Sequence, residues 1–432
     1  MAVQNRETRK QALRERVLDA ETLEQQSRKR RQPPGGKQLR RWLLLLLVIL
    51  LLLIAGGSWF LNRQYESYSR SWLVDYTQNS TADVDAESYE IYADGLMKVT
   101  RDGASYINAA GKTVWNQSYE IDTPTVSVNG EYAAIAEQGG THIYIMGPSG
   151  STGEAETSLP ITKVAVSAKG VVYALLEDTD ASYIAVFTKE GSALDISIKS
   201  VLSGDGYPVD IAVSPDGTEL MASFAYLENG TLQNKVVFYN LSEVGQNAGG
   251  NRVVGGFKDD FQGYLAGRVH FSDDTHAQAF YDGGVAFFST KVLTSPELTA
   301  NVKVSNAILS IAYDEDYVAL VTDNAQENNA SASDVTETNP DPYRLLVYRT
   351  DGHLVFDRSF AFNYSGFQMD RKHVLLYRDN QLRVYDIKGK LRYSGETELP
   401  ITKARIGRTA YGSLRTSVMI GSAGKLEGIL LK

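Results

Sequence analysis

The chain has 432 residues, 43% of them hydrophobic and 22% charged, with no cysteine and a formal net charge of −9. This composition excludes a disordered chain and a polytopic membrane protein, and the missing thiols exclude disulfide staples, iron–sulfur clusters, Cys-ligated zinc and thiol catalysis. Residues 1–41 hold 12 Lys or Arg against 5 acids and the remainder 31 against 47, so a basic start and an acidic body occupy different surroundings, and the acidic body does not suit nucleic-acid phosphates.

In chain order, residues 1–41 read as a basic cytoplasmic tail. Arg28 to Arg31 spell RKRR ahead of Pro33-Pro34-Gly35-Gly36, a topology signal with a spacer. Contact with anionic lipid is the alternative reading. From Trp42 to Leu61 the sequence WLLLLLVILLLLIAGGSWFL carries no charge, and at 1.5 Å per residue it reaches about 30 Å, one bilayer crossing. With Arg40 and Arg41 before it, a transmembrane helix over 42–61 is predicted, its N-terminus cytoplasmic and the C-terminal domain extracytoplasmic. The small residues Ala55-Gly56-Gly57 would suit signal-peptide cleavage, but the apolar run continues past them. The expected localisation is therefore the cell membrane, and the missing cysteines lean toward a Gram-positive envelope.

Residues 62–88 read as a polar juxtamembrane linker. Beyond them, over 89–432, short β-branched and aromatic runs alternate with Gly, Asp and Asn and no helical period recurs, which predicts an all-β domain. ETSLPITKV ending at Val164 echoes ETELPITKA ending at Ala404. Similar segments begin near residues 123, 161, 209, 264, 307, 365 and 401, at spacings that bracket the period of propeller blades. The last segment lacks its outer strands and residues 89–120 supply a matching pair. The prediction is a seven-bladed β-propeller sealed by its two terminal regions.

Ser214 to Gly217, SPDG, resembles the turn of WD-repeat and TolB-type propellers, and INAAGKTVW and VYRTDGHLVF are similar to quinoprotein-type blades. Basic tail, anchor and propeller together resemble a family of single-pass, membrane-anchored β-propeller proteins of Gram-positive anaerobes. The resemblance implies a fold and a location, and no catalytic residue.

Side by side, the seven opening strands show one apolar column, such as Val164/Val166 and Ile211/Val213, suited to packing between blades. The other column carries small and polar residues and is expected to line the channel. In it Lys163, Arg268, His270, Lys403 and Arg405 outnumber Asp210. These five define a candidate anion-binding channel, since a positive pocket in an acidic body focuses field on an anionic ligand; pairing with loop acids is the competing reading. Asp216, Asp273-Asp274 and Asp314-Glu315-Asp316 fall in equivalent turns, where Asp bonds its own backbone. The histidines are scattered and match no metal-ligand spacing, so no metal, cofactor or catalytic residue is expected. Residues 323–342, polar and Pro-ended, read as a mobile loop, and residues 243–263 as a Gly-rich insertion.

The functional expectation is a membrane-anchored, extracytoplasmic binding or scaffolding module at the cell envelope. Its partner would be an envelope protein or anionic polymer, with the membrane contacted through one helix. The alternative is a propeller enzyme, acting on envelope glycans or as a quinone-dependent dehydrogenase, whose site assembles from several blades.

Overall fold

The computed structural model describes residues 4–30, 36–62, 64–77, 87–248, 250–324, 341–407 and 416–432. The chain forms two units, Met1–Arg63 and Gln64–Lys432. The first holds helices α1, Gln4–Arg30, and α2, Gly36–Asn62. Strong helix formers with no Gly or Pro account for α1.

The expected transmembrane helix over 42–61 requires correction. Among the described residues no helix is long and apolar enough to cross a membrane. The described apolar side chains of α2 run unbroken from Trp42 to Ile54, all exposed.

The second unit is a β-propeller, and here too the expectation is corrected, from seven blades to eight. Among the described residues there are eight four-stranded antiparallel sheets. Blades 1 to 7 span residues 88–118, 124–156, 161–201, 207–257, 266–303, 308–360 and 366–396, each with its first strand innermost. Blade 8 takes three strands from the C-terminus, Lys403–Gly407, Ser417–Ser422 and Lys425–Leu431, and its outermost strand, Tyr68–Asp75, from near the start of the unit. Closure through the two ends is as expected, but its parts differ. Residues 89–120 belong to a complete first blade, and the sealing strand lies inside the stretch read as a linker. An outermost strand is half exposed, so Tyr68–Asp75, YSRSWLVD, lacks the apolar alternation that marks the inner strands.

Both faces of each sheet are buried against neighbours, which explains the richness in small and aliphatic residues. Val164 and Val166 of blade 3 pack with Ala134 and Ala136 of blade 2. Ala165, between them, packs with Ile211 and Val213 of blade 4. The second column of the inner strands therefore faces the following blade as well as the axis: Arg405 and Asp210 are buried, whereas Thr125, Lys163 and Ser310 are half-buried and Arg268 is exposed.

Strands alternate in direction within a blade. Connectors between blades and the second hairpin turns thus share one face of the ring, the connector face. First and third turns occupy the other, the hairpin face. The SPDG turn shows the local chemistry: Asp216 Oδ1 accepts hydrogen bonds from Ser214 Oγ at 2.7 Å and from Thr218 N at 2.9 Å, while Gly217 adopts φ 78, a left-handed geometry that glycine takes at little cost. The loop expected at 323–342 falls for the most part outside the described residues. The insertion at 243–263 contains a short helix, Glu243–Asn247, and the outer strand of blade 4, Val253–Phe257.

Candidate functional site: the axial polar cluster

Four of the five candidate site residues begin or continue the inner strands of blades 3, 5 and 8 and meet acids there. Lys163 Nζ contacts the carboxylate of Asp210, which is completely buried in blade 4. Arg268 Nη1 stands 4.0 Å from the same carboxylate oxygen. The other oxygen, Asp210 Oδ2, accepts the Val269 amide hydrogen at 2.7 Å, so one acid links blades 3, 4 and 5. Burial pushes the Lys163 ammonium down to about 8, and the charge of Arg268 acts in the same direction. Arg268 keeps 47% of its side chain exposed. Two cations share one carboxylate, which leaves this arc of the axis positive.

His270, next along blade 5, stacks on Tyr313 of blade 6 with ring centroids 3.9 Å apart. Burial, then the charge of Arg268, pushes its imidazole down to about 3. The ring is therefore neutral at pH 7 and adds no positive charge. Its Nε2 is buried without a hydrogen-bond partner, as is Nε2 of Gln278, the residue directly across the strand pair.

Lys403 and Arg405 lie on the inner strand of blade 8, separate from that arc. Lys403 Nζ donates to Glu90 Oε2 of blade 1 at 3.4 Å. Arg405, 2% exposed, donates through Nη1 to the carbonyls of Ala93 at 3.2 Å and Gly95 at 2.5 Å. Its Nε is 3.5 Å from Asp370 Oδ2, which also accepts the Ile406 amide hydrogen at 2.7 Å. Burial lowers the Arg405 guanidinium from its ordinary value despite Asp370. Arg405 is thus a stitch between blades 7, 8 and 1. Sequence reasoning missed the acids that meet these two cations for definite causes: Glu90, the partner of Lys403, sits on an inner strand assigned to an outer pair, and Asp370, the partner of Arg405, ends a strand where a turn acid is ordinary.

The acidic turns behave as their positions imply. Asp314 Oδ1 accepts from the amides of Asp316 at 3.0 Å and Tyr317 at 2.8 Å. Asp273 Oδ1 accepts from Thr275 N at 2.6 Å. Glu219, which no sequence pattern singled out, is 1% exposed with Oε1 unpartnered, and burial pushes it up to about 7. Among the described residues no group of three His, Asp or Glu is placed to hold a metal ion. A shallow depression of about 470 Å³ opens on the connector face between blades 6 and 7, lined by Phe362, Asn363, Arg378, Asn380 and Arg383 among others.

A family profile described as a family of unknown function, DUF5711, matches residues 61–420. No curated protein matches the chain. Among solved structures, BamB from Moraxella catarrhalis is similar over 85% of this chain and 100% of its own, with 11% identity and a TM-score of 0.50. The Pan2 WD40 domain of Neurospora crassa is similar over 84% and 95%, with 9% identity and a TM-score of 0.43. Sqt1 of Chaetomium thermophilum, solved bound to the N-terminus of ribosomal protein L10, is similar over 79% and 92%, with 12% identity and a TM-score of 0.49. At these identities the likeness is one of fold.

Proposed function

We propose, for a chain that belongs to the family of unknown function DUF5711, that its propeller is a binding or scaffolding module of the cell envelope, and that the axial arc of Lys163 and Arg268 receives an anionic group of the partner. The observation that carries the site is the half-exposed Arg268 guanidinium, sharing with Lys163 a carboxylate already bonded to the Val269 amide. That arrangement keeps a cation in place while leaving its charge incompletely neutralised, inside an acidic body that would otherwise repel anions. Lys403 and Arg405 are committed to structural contacts and hold the ring, and His270 is a neutral ring stacked on Tyr313. Rigid blades hold the connecting loops in place, a scaffold suited to recognition.

The site is tested by titrating the purified full-length chain with inorganic phosphate and with acetate by calorimetry. Binding should weaken at least tenfold in Arg268→Gln and several-fold in Lys163→Gln, with both variants melting as wild type does. Equal binding by wild type and Arg268→Gln, or no binding of either anion, would remove the site.

We further propose that the propeller lies outside the cytoplasm. Supporting this are the split between a basic first segment and an acidic body and the lack of cysteine in a large domain. Because the chain has no cysteine, a single one introduced at Leu227 gives a clean readout. It should react with a membrane-impermeant maleimide in intact cells, and labelling only after lysis would refute the placement.

A further inference from the structure

The second and third strands of blade 4, Glu219–Glu228 and Thr231–Asn240, are ten residues each. They stay in register to the tip, where Leu227 faces Leu232 and Glu228 faces Thr231. Their neighbours stop short. The inner strand pairs no further than Tyr207 opposite Ala225, and the outer no further than Phe257 opposite Val236. The hairpin therefore overhangs the connector face with both outer edges free of ladder partners, and Asn229 at φ 54 with Gly230 at φ 78 fold its tip.

Alternation along the strands fixes which way the leucines point. Ser223 and Asn234 share their face, and both reach the start of blade 5: Ser223 Oγ donates to Ala266 O at 2.7 Å, and Asn234 Oδ1 accepts the Ala266 amide hydrogen at 3.3 Å. The leucine face is thus turned toward blade 5. The opposite face is braced, since Lys258 Nζ donates to Glu228 at 2.8 Å, and Lys258 and Lys235 each lie 5.5 Å from the Tyr226 ring centroid. A braced hairpin holds Leu227 75% exposed and Leu232 55% exposed, in a propeller that buries most of its large aliphatic side chains.

On the side the leucines face runs the connector 258–265 between blades 4 and 5, with Asp259 and Asp260, and beyond it the blade 5 turn at Asp282. Asp259 and Asp282 are exposed and Asp260 half-buried. Asp260 and Asp282 lie close enough together to act on one group: after burial and Tyr264, their charges help to push the Tyr281 hydroxyl up to about 12. Lys258, the cation of this connector, is already paired with Glu228.

We propose that the hairpin overhang and the connector beside it form a docking groove for an extended polypeptide segment of a partner protein, one that places aliphatic side chains between Lys or Arg residues. The leucines supply apolar area to cover, Asp259, Asp260 and Asp282 supply complementary charge, and the free hairpin edge supplies ladder positions for the segment's backbone. This surface is distinct from the axial arc and does not depend on it.

The probe is a fluorescein-labelled ten-residue peptide of alternating Leu and Lys, with Ser–Lys and Leu–Glu counterparts, followed by anisotropy on the full-length chain. Wild type should bind the Leu–Lys peptide and neither counterpart. Leu227→Ser with Leu232→Ser should weaken binding at least tenfold. Asp259→Asn with Asp260→Asn should weaken it about threefold and flatten its salt dependence. Glu315→Gln with Asp316→Asn, on the hairpin face, should leave it unchanged. All three pairs are exposed or half-buried loop and tip positions, and a melting curve within a few degrees of wild type verifies their folding. No binding by wild type, undiminished binding after the leucine changes, or an equal loss in the hairpin-face control would each overturn the groove. Variants of Arg268 should bind the peptide normally, which separates its failure from that of the axial site.

Discussion

Asp370 is the residue on which the junction of blades 7 and 8 turns. It is 7% exposed, accepts the Ile406 amide hydrogen at 2.7 Å and faces Arg405 Nε at 3.5 Å. Removing the arginine alone strands a buried carboxylate, which costs about 3–5 kcal/mol. Arg405→Ala should therefore lower the urea midpoint sharply. Asp370→Asn combined with Arg405→Met should recover part of the loss, and a double-mutant cycle measures the coupling. A loss under about 1 kcal/mol would mean that the pair is solvated. Glu219 gives a second prediction at this scale. It is buried in blade 4 near Thr290, Asp216 and Asp274, and it holds its proton up to about 7, first because of burial and then because the two aspartates repel its charge. The unfolded chain releases that proton near the ordinary glutamate value. Between the two, the unfolded state binds fewer protons than the folded one, so stability falls as pH rises through that window; the penalty is complete above about 7 and absent below the ordinary value. A shift of this size corresponds to about 3 kcal/mol. Glu219→Gln should stabilise the protein at pH 8 and leave it unchanged at pH 4, measured by urea denaturation at both. His270 slopes the other way: its depressed imidazole costs stability as pH falls below the ordinary histidine value. Asp314, which burial likewise pushes up to about 6, slopes as Glu219 does, so the difference between the wild-type and Glu219→Gln profiles isolates the contribution of Glu219.

The element that decides ring closure is the strand Tyr68–Asp75. Its register against Lys425–Leu431 shifts between Arg70 and Trp72, a bulge that re-aims Trp72. The Trp72 indole donates through Nε1 to Ala109 O of blade 1 at 3.2 Å, so the outermost strand of blade 8 grips the next blade as well as its own. Arg70 Nε donates to the fully buried Glu427 at 2.7 Å, and Arg70 Nη2 to Glu398 at 2.8 Å. Gly428 leaves the space that the indole fills, and a methyl there would run into the ring. Gly428→Ala should cost about 1–3 kcal/mol by overpacking, with a red shift of tryptophan emission as Trp72 is displaced. An unchanged spectrum would show that the closing strand sits elsewhere. This element also marks the limit of sequence reading. The inner strands were legible because both their faces are buried and their apolar pairs, such as Val164/Val166 and Ile211/Val213, repeat. Strand Tyr68–Asp75 is nowhere more than half-buried and carries the ion-pairing residues Arg70 and Asp75, so its sequence looks like linker. Ser88–Tyr92 was misassigned because Tyr-Glu-Ile-Tyr is as ordinary in an outer strand as in an inner one. The site suffered from the same slip. The cations Lys163, Arg268, Lys403 and Arg405 were visible in one column, but of the acids that meet them Glu90 becomes visible only when blade 1 is counted and the ring is closed onto it, and Asp370 passes for an ordinary turn acid at the end of its strand.

At the scale of the whole molecule, an eight-bladed ring is held by contacts between sequential neighbours except at one place, where blade 8 joins strands from both ends of the unit. Sequential contacts alone would let blades separate one at a time, as in open repeat arrays. Closure makes the loss of any junction cost the geometry of the rest, so the ring should unfold as one. The junction also has a sharp start in sequence. The Tyr65 amide donates to Arg392 O at 2.6 Å, the Glu66 amide to Lys432 O at 2.9 Å, and the Lys432 amide to Ser67 O at 2.8 Å. Deleting residues 1–63 leaves all of these in place, and deleting residues 1–76 removes them together with the Arg70–Glu427 pair and the Trp72 contact. The shorter deletion should melt within about 2–4 °C of the full-length chain, the shift expected from roughly 1 kcal/mol in a domain of this size, and in a single transition. The longer deletion exposes the unpaired edge of Lys425–Leu431, an aggregation-prone surface, and leaves Glu427 buried without its cation. It should show either a broadened, multistep transition or insolubility. Adding a synthetic peptide of residues 64–77 to the longer deletion should restore the sharp transition by completing blade 8. If the longer deletion melts as sharply as the shorter one without the peptide, closure by Tyr68–Asp75 does not govern cooperativity, and the cohesion of the ring resides in the packing between neighbouring blades alone.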